Sequence, residues 1–124
     1  MFYFTENHLW IRKTSTDFFI LGLSEYAVKQ LQKIMFLDFT AAPGVFLKMN
    51  QPFALVETIK IVWEIHAPFT LSVNAVNNEL TEEKIDILNH DPEDESAWLL
   101  RFSCEKLPDN LMTPEQFRIH TGNL

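Results

Sequence analysis

Residues 53–68 constrain the fold most, because two apolar runs lie on either side of a short polar step. The runs, 53–56 and 61–65, are rich in β-branched and aromatic residues, which is typical of strands. Strands so close in sequence must fold back on each other as a hairpin. Lys60 then lies at or near the exposed tip. An enzyme can reach its amine there, and the rigid hairpin can present a covalently attached group.

The predicted turn has unusual chemistry. The segment Glu57-Thr58-Ile59-Lys60 contains no Gly, Pro, Asn or Asp, the residues that normally set a tight turn. Ile59 and Ile61 are apolar although they flank the tip, which suggests a shape that another protein recognises. Two alternatives stay open. The run could be one buried strand with Lys60 reaching solvent at its end, or Glu57 and Lys60 could form an ordinary surface ion pair.

Composition limits the classes of function. The chain has 124 residues, of which 47% are hydrophobic, so we expect one domain over 1–124 with a real core. A formal net charge of −7 argues against nucleic-acid binding. The chain has no run of about 18 apolar residues, so no membrane span is predicted. The N-terminus lacks the features of a signal peptide. The single cysteine, Cys104, excludes an internal disulfide. We therefore expect a cytoplasmic monomer.

The rest of the chain has the pattern of short strands with three small helices. Further strands are predicted from Leu9 and at 18–23, 34–39, 45–47, 70–76 and 98–103. Helices are predicted at 24–32 and 81–89, with Ser24 and Thr81 as N-caps and Glu82 in the first turn of the second. A third helix is predicted from Thr113, with Gly122 as its end. This arrangement favours a mainly β sandwich or barrel with peripheral helices.

No recognisable catalytic or metal-binding pattern is present. Cys104 lies in or next to a predicted strand, where a free cysteine is usually a small buried hydrophobe. His8 could act as a general base, but capping or filling a local gap is the simpler interpretation. The acidic residues at 91–95 lack the spacing of an EF-hand loop and are interpreted as a solvated loop. We therefore predict no catalytic residues and no metal site.

Several motifs, in order and at matching spacing, resemble one family. They are 4–11 (Phe-Thr-Glu-Asn-His-Leu-Trp-Ile), 21–27 (Leu-Gly-Leu-Ser-Glu-Tyr-Ala), 56–60 (Val-Glu-Thr-Ile-Lys), 65–68 (Ile-His-Ala-Pro) and 89–92 (Asn-His-Asp-Pro), followed by Trp98-Leu99. They resemble Tyr-Thr-x-x-His-x-Trp-Val, Val-Gly-Ile-Thr-x-Tyr-Ala, Val-Glu-Ser-Val-Lys, Ile-Tyr-Ala-Pro, and Asn-x-Asp-Pro with Gly-Trp-Leu. These are motifs of the H-protein, the lipoyl carrier of the glycine cleavage system.

The resemblance implies a hybrid barrel-sandwich of the lipoyl/biotinyl type, with lipoate attached to Lys60 through an amide. It places Glu57, Ile59 and Ile61 on the hairpin surface that lipoate-attaching enzymes recognise. In the family the arm accepts an aminomethyl group, delivers it to a folate-dependent step and is then reoxidised. The protein is a carrier and not an enzyme, since the cofactor supplies the chemistry. A biotin carrier usually has Met on both sides of its lysine, so the isoleucines here favour lipoate.

The partners implied by the resemblance form two alternative sets. Both include a lipoate ligase or lipoyltransferase and a dihydrolipoyl dehydrogenase. The first set adds glycine decarboxylase and aminomethyltransferase. The second adds the sirtuin and macrodomain proteins with which some bacterial H-like proteins serve an ADP-ribosylation redox response. An alternative from another class is an adaptor that binds partners through the hairpin with Lys60 unmodified.

Several positions depart from the family's pattern. The chain has Gln32-Lys33, Ile61, Leu71, Glu93 and Ala97 where the family has Gly-Asp, a small residue, Gly, Tyr and Gly, respectively. Most of these changes replace a glycine or another small residue around the hairpin and its supports. They favour a divergent, H-like branch, and they affect the expected docking surface for glycine decarboxylase more than the expected lipoylation.

Overall fold

The computed structural model describes residues 1–81 and 83–122. Its strands are β1 (Phe2–Phe4), β2 (Leu9–Lys13), β3 (Phe19–Leu23), β4 (Ile34–Phe39), β5 (Phe46–Leu47), β6 (Pro52–Thr58), β7 (Val62–His66), β8 (Leu71–Val76) and β9 (Leu100–Ser103). Its α-helices are α1 (Glu25–Leu31), α2 (Ile87–His90) and α3 (Pro114–Gly122). The strands form a six-stranded sheet in the order β1-β2-β3-β9-β8-β5 and a three-stranded sheet in the order β4-β6-β7. The expected mainly β architecture with three short helices is confirmed.

One apolar core joins the two sheets. Ile11 and Leu21 from the six-stranded sheet share a buried cluster with Leu37, Val56 and Ile65 from the three-stranded sheet. Buried residues alternate with more exposed ones along β9. In β2 and β3 both faces are buried, because Trp10 and Ile20 belong to a second cluster on the other face of the sheet. The hairpin β6–β7 is therefore packed against this core through Val56 and Ile65.

A second, smaller cluster lies under the C-terminal helix. It groups the buried residues Phe4, Trp10, Ile20 and Phe117. Strand β1, which the sequence did not predict, contributes Phe4 to this cluster and pairs with β2. A strand of three residues is too short to show a hydrophobic alternation, so its pairing with β2 and the bridge between Phe4 and Met112 define it.

The first and third helices begin as predicted. The Ser24 hydroxyl accepts a hydrogen bond from Ala27 N at 3.1 Å, as an N-cap does. At the start of α3, Thr113 Oγ1 accepts from Gln116 N at 3.2 Å and Gln116 Oε1 accepts from Thr113 N at 2.9 Å. This is a reciprocal capping box. Gly122 belongs to α3, and the residues beyond this predicted helix end lie outside the described residues.

The predicted helix at 81–89 is wrong in its bounds. A 3₁₀ turn occupies Asn78–Thr81 and α2 begins only at Ile87, while Glu82 lies outside the described residues. Thr81 does not cap a helix, because its hydroxyl donates to Asn78 O at 2.8 Å. Tertiary contacts of α2 are made through one of its own side chains. The Asn89 side chain accepts from Ile34 N at 2.8 Å and donates to Ile34 O at 2.9 Å, which fixes this segment against β4.

Cys104 and His8, the two residues considered for catalysis, both pack against other parts of the fold. Cys104 is half-buried and unpaired, and burial raises the pKa of its thiol. The His8 ring packs 4.9 Å from Tyr26 and 5.9 Å from Phe117, between ring centroids. Burial, and secondarily the charge of His120, lowers the pKa of His8. His8 thus fills a gap beside α3, as its simpler interpretation predicts.

The acidic loop is only partly solvated, contrary to the prediction. Glu93 is half-buried, its carboxylate accepts from Glu25 N at 2.8 Å at the start of α1, and burial raises its pKa. Pro92 O accepts the Trp10 indole N–H at 2.7 Å. The loop therefore ties β2 to α1. In the described part of the chain, no three His, Cys, Asp or Glu side chains are grouped as a metal site requires. No helix there is long and apolar enough to cross a membrane.

Gln32 ends α1 in a conformation that suits glycine. Its φ of 66° and ψ of −148° lie close to a backbone region that is essentially restricted to glycine. We expect Gln32→Gly to raise the free energy of unfolding by about 1 kcal/mol, because relief of this strain exceeds the entropic cost of glycine. Urea denaturation measures the change. The control is Gln30→Gly on the exposed side of α1, which should lower stability by about 1 kcal/mol. A loss of stability in both variants would contradict the assignment of strain to Gln32.

Candidate functional site

The segment around Lys60 forms a tight antiparallel hairpin. Glu57 of β6 pairs with Val62 of β7, and Thr58 N donates to Ile61 O at 2.9 Å. Only Ile59 and Lys60 lie between the residues that close the turn. The predicted hairpin with Lys60 at its tip is confirmed, and the alternative of one continuous buried strand is wrong.

The Thr58 side chain explains how this turn forms without glycine or asparagine. Its hydroxyl oxygen accepts from Lys60 N at 3.2 Å and from Ile61 N at 3.1 Å. A threonine hydroxyl used in this way satisfies turn amides that otherwise need solvent or another acceptor. Neither Ile59 nor Lys60 has a positive φ, so the turn does not need the residues that tolerate one. Sequence reasoning missed Thr58, although a hydroxyl residue two positions before the lysine was visible in the motif.

We expect Thr58→Ala to loosen the tip of the hairpin. Two turn amides lose their acceptor, and a hydrogen bond of this kind contributes about 1 kcal/mol. Amide hydrogen exchange at Lys60 and Ile61 should therefore accelerate about fivefold, while exchange in the core strands stays unchanged. Thr58→Ser is the matched control, since it keeps the hydroxyl. Equal exchange rates in the Ala and Ser variants would show that the hydroxyl does not hold the turn.

The Lys60 side chain is exposed and forms no ion pair with the described residues. The ion pairs found within residues 1–81 and 83–122 join Lys29 to Glu25, His66 to Glu64 and Lys84 to Glu79. None of them involves Lys60 or Glu57, so the surface ion pair considered from the sequence does not form. The Lys60 amine therefore projects from a fixed backbone into solvent, where another molecule can approach it.

Apolar side chains flank the amine on both sides. Ile59 is 78% exposed and Ile61 is 49% exposed. Glu57 is also exposed, on the outward face of β6. Trp63, by contrast, is half-buried and packs against the main core. The structure thus brings together all four residues singled out at the tip, with a carboxylate beside an apolar rim.

The base of the hairpin is anchored to the opening segment. Asn7 Nδ2 donates to His66 O at 3.0 Å, and Ala67 N donates to Gln51 O at 2.8 Å. The motif at the start of the chain therefore contacts the motif at 65–68, which begins at the end of β7. A rigid base fixes the direction in which the tip projects. This suits a lysine, here Lys60, that another protein must recognise.

The buried departures from the family pattern lie away from the tip. Leu71 is in β8 and Ala97 precedes β9, and both are almost fully buried in the main core. Gln32 and Glu93 lie at opposite ends of α1. Only Ile61 changes the tip itself. These substitutions alter the supports of the fold and leave the presentation of Lys60 intact.

Comparisons with known proteins agree with this geometry. The model of the family described as "Glycine cleavage H-protein" matches residues 2–121. The glycine cleavage system H protein of Methylobacillus flagellatus is 31% identical over 121 residues, covering 96% of this chain and 94% of the relative. That of Anoxybacillus flavithermus is 34% identical over 116 residues, covering 92% and 88%.

A solved structure supports the fold. The crystal structure of a glycine cleavage system H protein from Mycobacterium marinum superposes with a TM-score of 0.81 at 21% identity, covering 98% of this chain and 96% of the other. The fold likeness and the family match extend over almost the whole chain. The chain therefore belongs to the glycine cleavage H-protein family, whose members are non-catalytic lipoyl carriers.

Proposed function

We propose that this chain is a single-domain carrier with lipoate attached as an amide to Lys60 Nζ, and that it serves glycine cleavage. The observation that supports this most is an exposed, unpaired lysine on the two-residue turn of a hairpin, at the position of the family's Val-Glu-Ser-Val-Lys motif. Membership of the family supplies the cofactor class. The hairpin supplies the rigid presentation that an attached arm needs.

The residues at the tip fit this cofactor. In the attachment step, the Lys60 amine nitrogen bonds to the carboxyl carbon of an activated lipoyl group, such as the acyl adenylate made from lipoate and ATP. The bond to the adenylate breaks, AMP leaves with the electron pair, and the nitrogen gives up a proton. The amide removes the lysine charge, so Ile59 and Ile61 become an apolar base for the arm. When bound, lipoate supplies a dithiolane that can take up electrons and carry an aminomethyl group.

The proposed partners follow from that role. A lipoate ligase or lipoyltransferase modifies Lys60. Glycine decarboxylase, aminomethyltransferase and dihydrolipoyl dehydrogenase then act on the arm. The net charge of −7 favours partners with basic surfaces. No observation specifically favours the ADP-ribosylation partners or an unmodified adaptor, which stay alternatives for the following test.

Two measurements test the proposal. The intact mass of protein purified from its own host should show one lipoyl group, and peptide mapping should place it on Lys60. The gene should also restore growth on glycine as nitrogen source to a strain that lacks its own H-protein. An unmodified protein in the host would favour the adaptor. A lipoylated protein that fails to complement would favour a redox module outside glycine cleavage.

A further inference from the structure

The outward face of the three-stranded sheet carries a row of side chains that the lipoyl-carrier function does not by itself explain. Phe36 of β4 pairs with Glu57 of β6, which pairs with Val62 of β7. Directly paired residues project from the same face of a sheet. Phe36 and Val62 are each 61% exposed, so these three residues, here called the outer row, lie together in solvent with the carboxylate in the middle.

The outer row continues to the tip. Ile59, two residues after Glu57, is exposed beyond the last paired residue of β6, and Ile61, which lies opposite Thr58, is exposed beside the tip. At its other side, a β-bulge between Ile34 and Phe36 shifts the register of β4, and Met35 is exposed there as well. Bulges re-aim side chains at sheet edges. Exposed apolar side chains that cluster at one end of a sheet mark an interaction site more often than singly scattered ones do.

We propose that the outer row, with Ile59 and Ile61, is the docking surface for the enzyme that attaches lipoate to Lys60. This inference rests on the proposed function. The enzyme would present an apolar surface to Phe36 and Val62 and a cationic side chain to Glu57. Glu57 has no ion-pair partner within the described chain, so a cation from the enzyme would meet an unpaired carboxylate.

The short length of the lysine side chain favours the lipoate-attaching enzyme as the partner that docks on this face. An unmodified lysine amine extends only about 6 Å from its Cα, as its bond lengths dictate. An enzyme that acylates it must therefore rest against the hairpin itself. A standard interface covers about 800 Å² on each partner, which is far more than a two-residue turn offers. The contact must extend down β4, β6 and β7. The attached arm carries its reacting sulfurs farther from the backbone, so enzymes that use the arm need less contact with this face.

Charge on the same face supports a basic partner. Asp38 pairs with Leu55, which pairs with Glu64, and these residues form the next row on the outward side of the sheet. The carboxylates of Asp38 and Glu64 are exposed. With Glu57 in the outer row, this face carries three exposed carboxylates. Their negative charge steers a basic enzyme surface and fixes its orientation.

Steady-state lipoylation kinetics test the inference, with the apo protein as varied substrate, a lipoate ligase, ATP and lipoate. Phe36→Ser and Val62→Ser should each raise KM about tenfold and change kcat little, since they remove binding and not chemistry. Phe46→Ser is the matched control, because Phe46 is 60% exposed on β5 of the other sheet. Its KM should equal that of the wild type. Thermal unfolding checks that all three variants fold.

The outcomes separate this inference from the proposed function. If the wild type is lipoylated on Lys60 while Phe36→Ser and Val62→Ser keep its KM, the docking surface is disproved and the carrier function stands. If the wild type is not lipoylated by competent enzymes, the carrier function fails first. Variants lipoylated beforehand should react normally with aminomethyltransferase. An equal loss in that reaction would overturn the assignment of this face to the attaching enzyme.

Discussion

Lys60→Arg is expected to abolish lipoylation without changing the fold. Arginine keeps the positive charge and nearly the same length, but its guanidinium is not deprotonated in proteins and cannot act as the acyl acceptor. Lys60 is exposed and makes no ion pair within the described residues, so the variant loses no stabilising contact. Its melting temperature should match that of the wild type. Intact mass after incubation with ligase, ATP and lipoate should stay at the apo value.

A second lysine provides the control for position. Lys48 is also exposed and also lies at a tight turn, where Gln51 N donates to Lys48 O at 3.1 Å. Its neighbours Leu47 and Met49 are also apolar, but Leu47 is buried, and the strands before and after this turn, β5 and β6, belong to different sheets and do not pair. Lys48→Arg should therefore be lipoylated as completely as the wild type. A lipoyl group on the Lys60→Arg protein, or its loss in Lys48→Arg, would contradict the assignment of the attachment site.

The position of Lys60 could be predicted because it depends on local sequence. The two runs are β-branched and close together, so a hairpin is the only compact way to pair them. The stabilisation of the turn by Thr58 was not predicted, since a threonine hydroxyl has many possible partners. Its two bonds to Lys60 N and Ile61 N depend on turn geometry that the sequence does not specify.

Features that depend on distant contacts were missed. The segment after β8 has helical spacing, yet it begins with a 3₁₀ turn at Asn78–Thr81 and α2 starts only at Ile87, with the Asn89 side chain bonded to Ile34 of β4. The outer row also could not be predicted. Its alignment of Phe36 with Glu57 depends on a bulge in β4, and a shift of one residue would place Phe36 on the other face.

Gly22→Ala is expected to cause the largest loss of stability among these substitutions. Gly22 of β3 pairs with Trp10 of β2, and a Cβ at this position would lie 2.5 Å from two carbons of the Trp10 indole. The indole cannot easily move away, since it is fully buried and its N–H donates to Pro92 O at 2.7 Å. We expect the free energy of unfolding to fall by about 3 kcal/mol, at the upper end for overpacked cores.

The matched control and a functional measurement separate packing from carrier activity. Gly122→Ala adds a methyl group that meets nothing within 4 Å, so urea denaturation should show no loss of stability, and a gain up to about 1 kcal/mol from helix propensity. Gly22 lies in the six-stranded sheet and Lys60 on the hairpin of the other sheet. Folded Gly22→Ala protein, assayed well below its melting temperature, should therefore be lipoylated at the wild-type rate. Equal stability of the two alanine variants would show that the indole can move aside, and slow lipoylation of folded Gly22→Ala would show that the hairpin depends on the packing of Trp10.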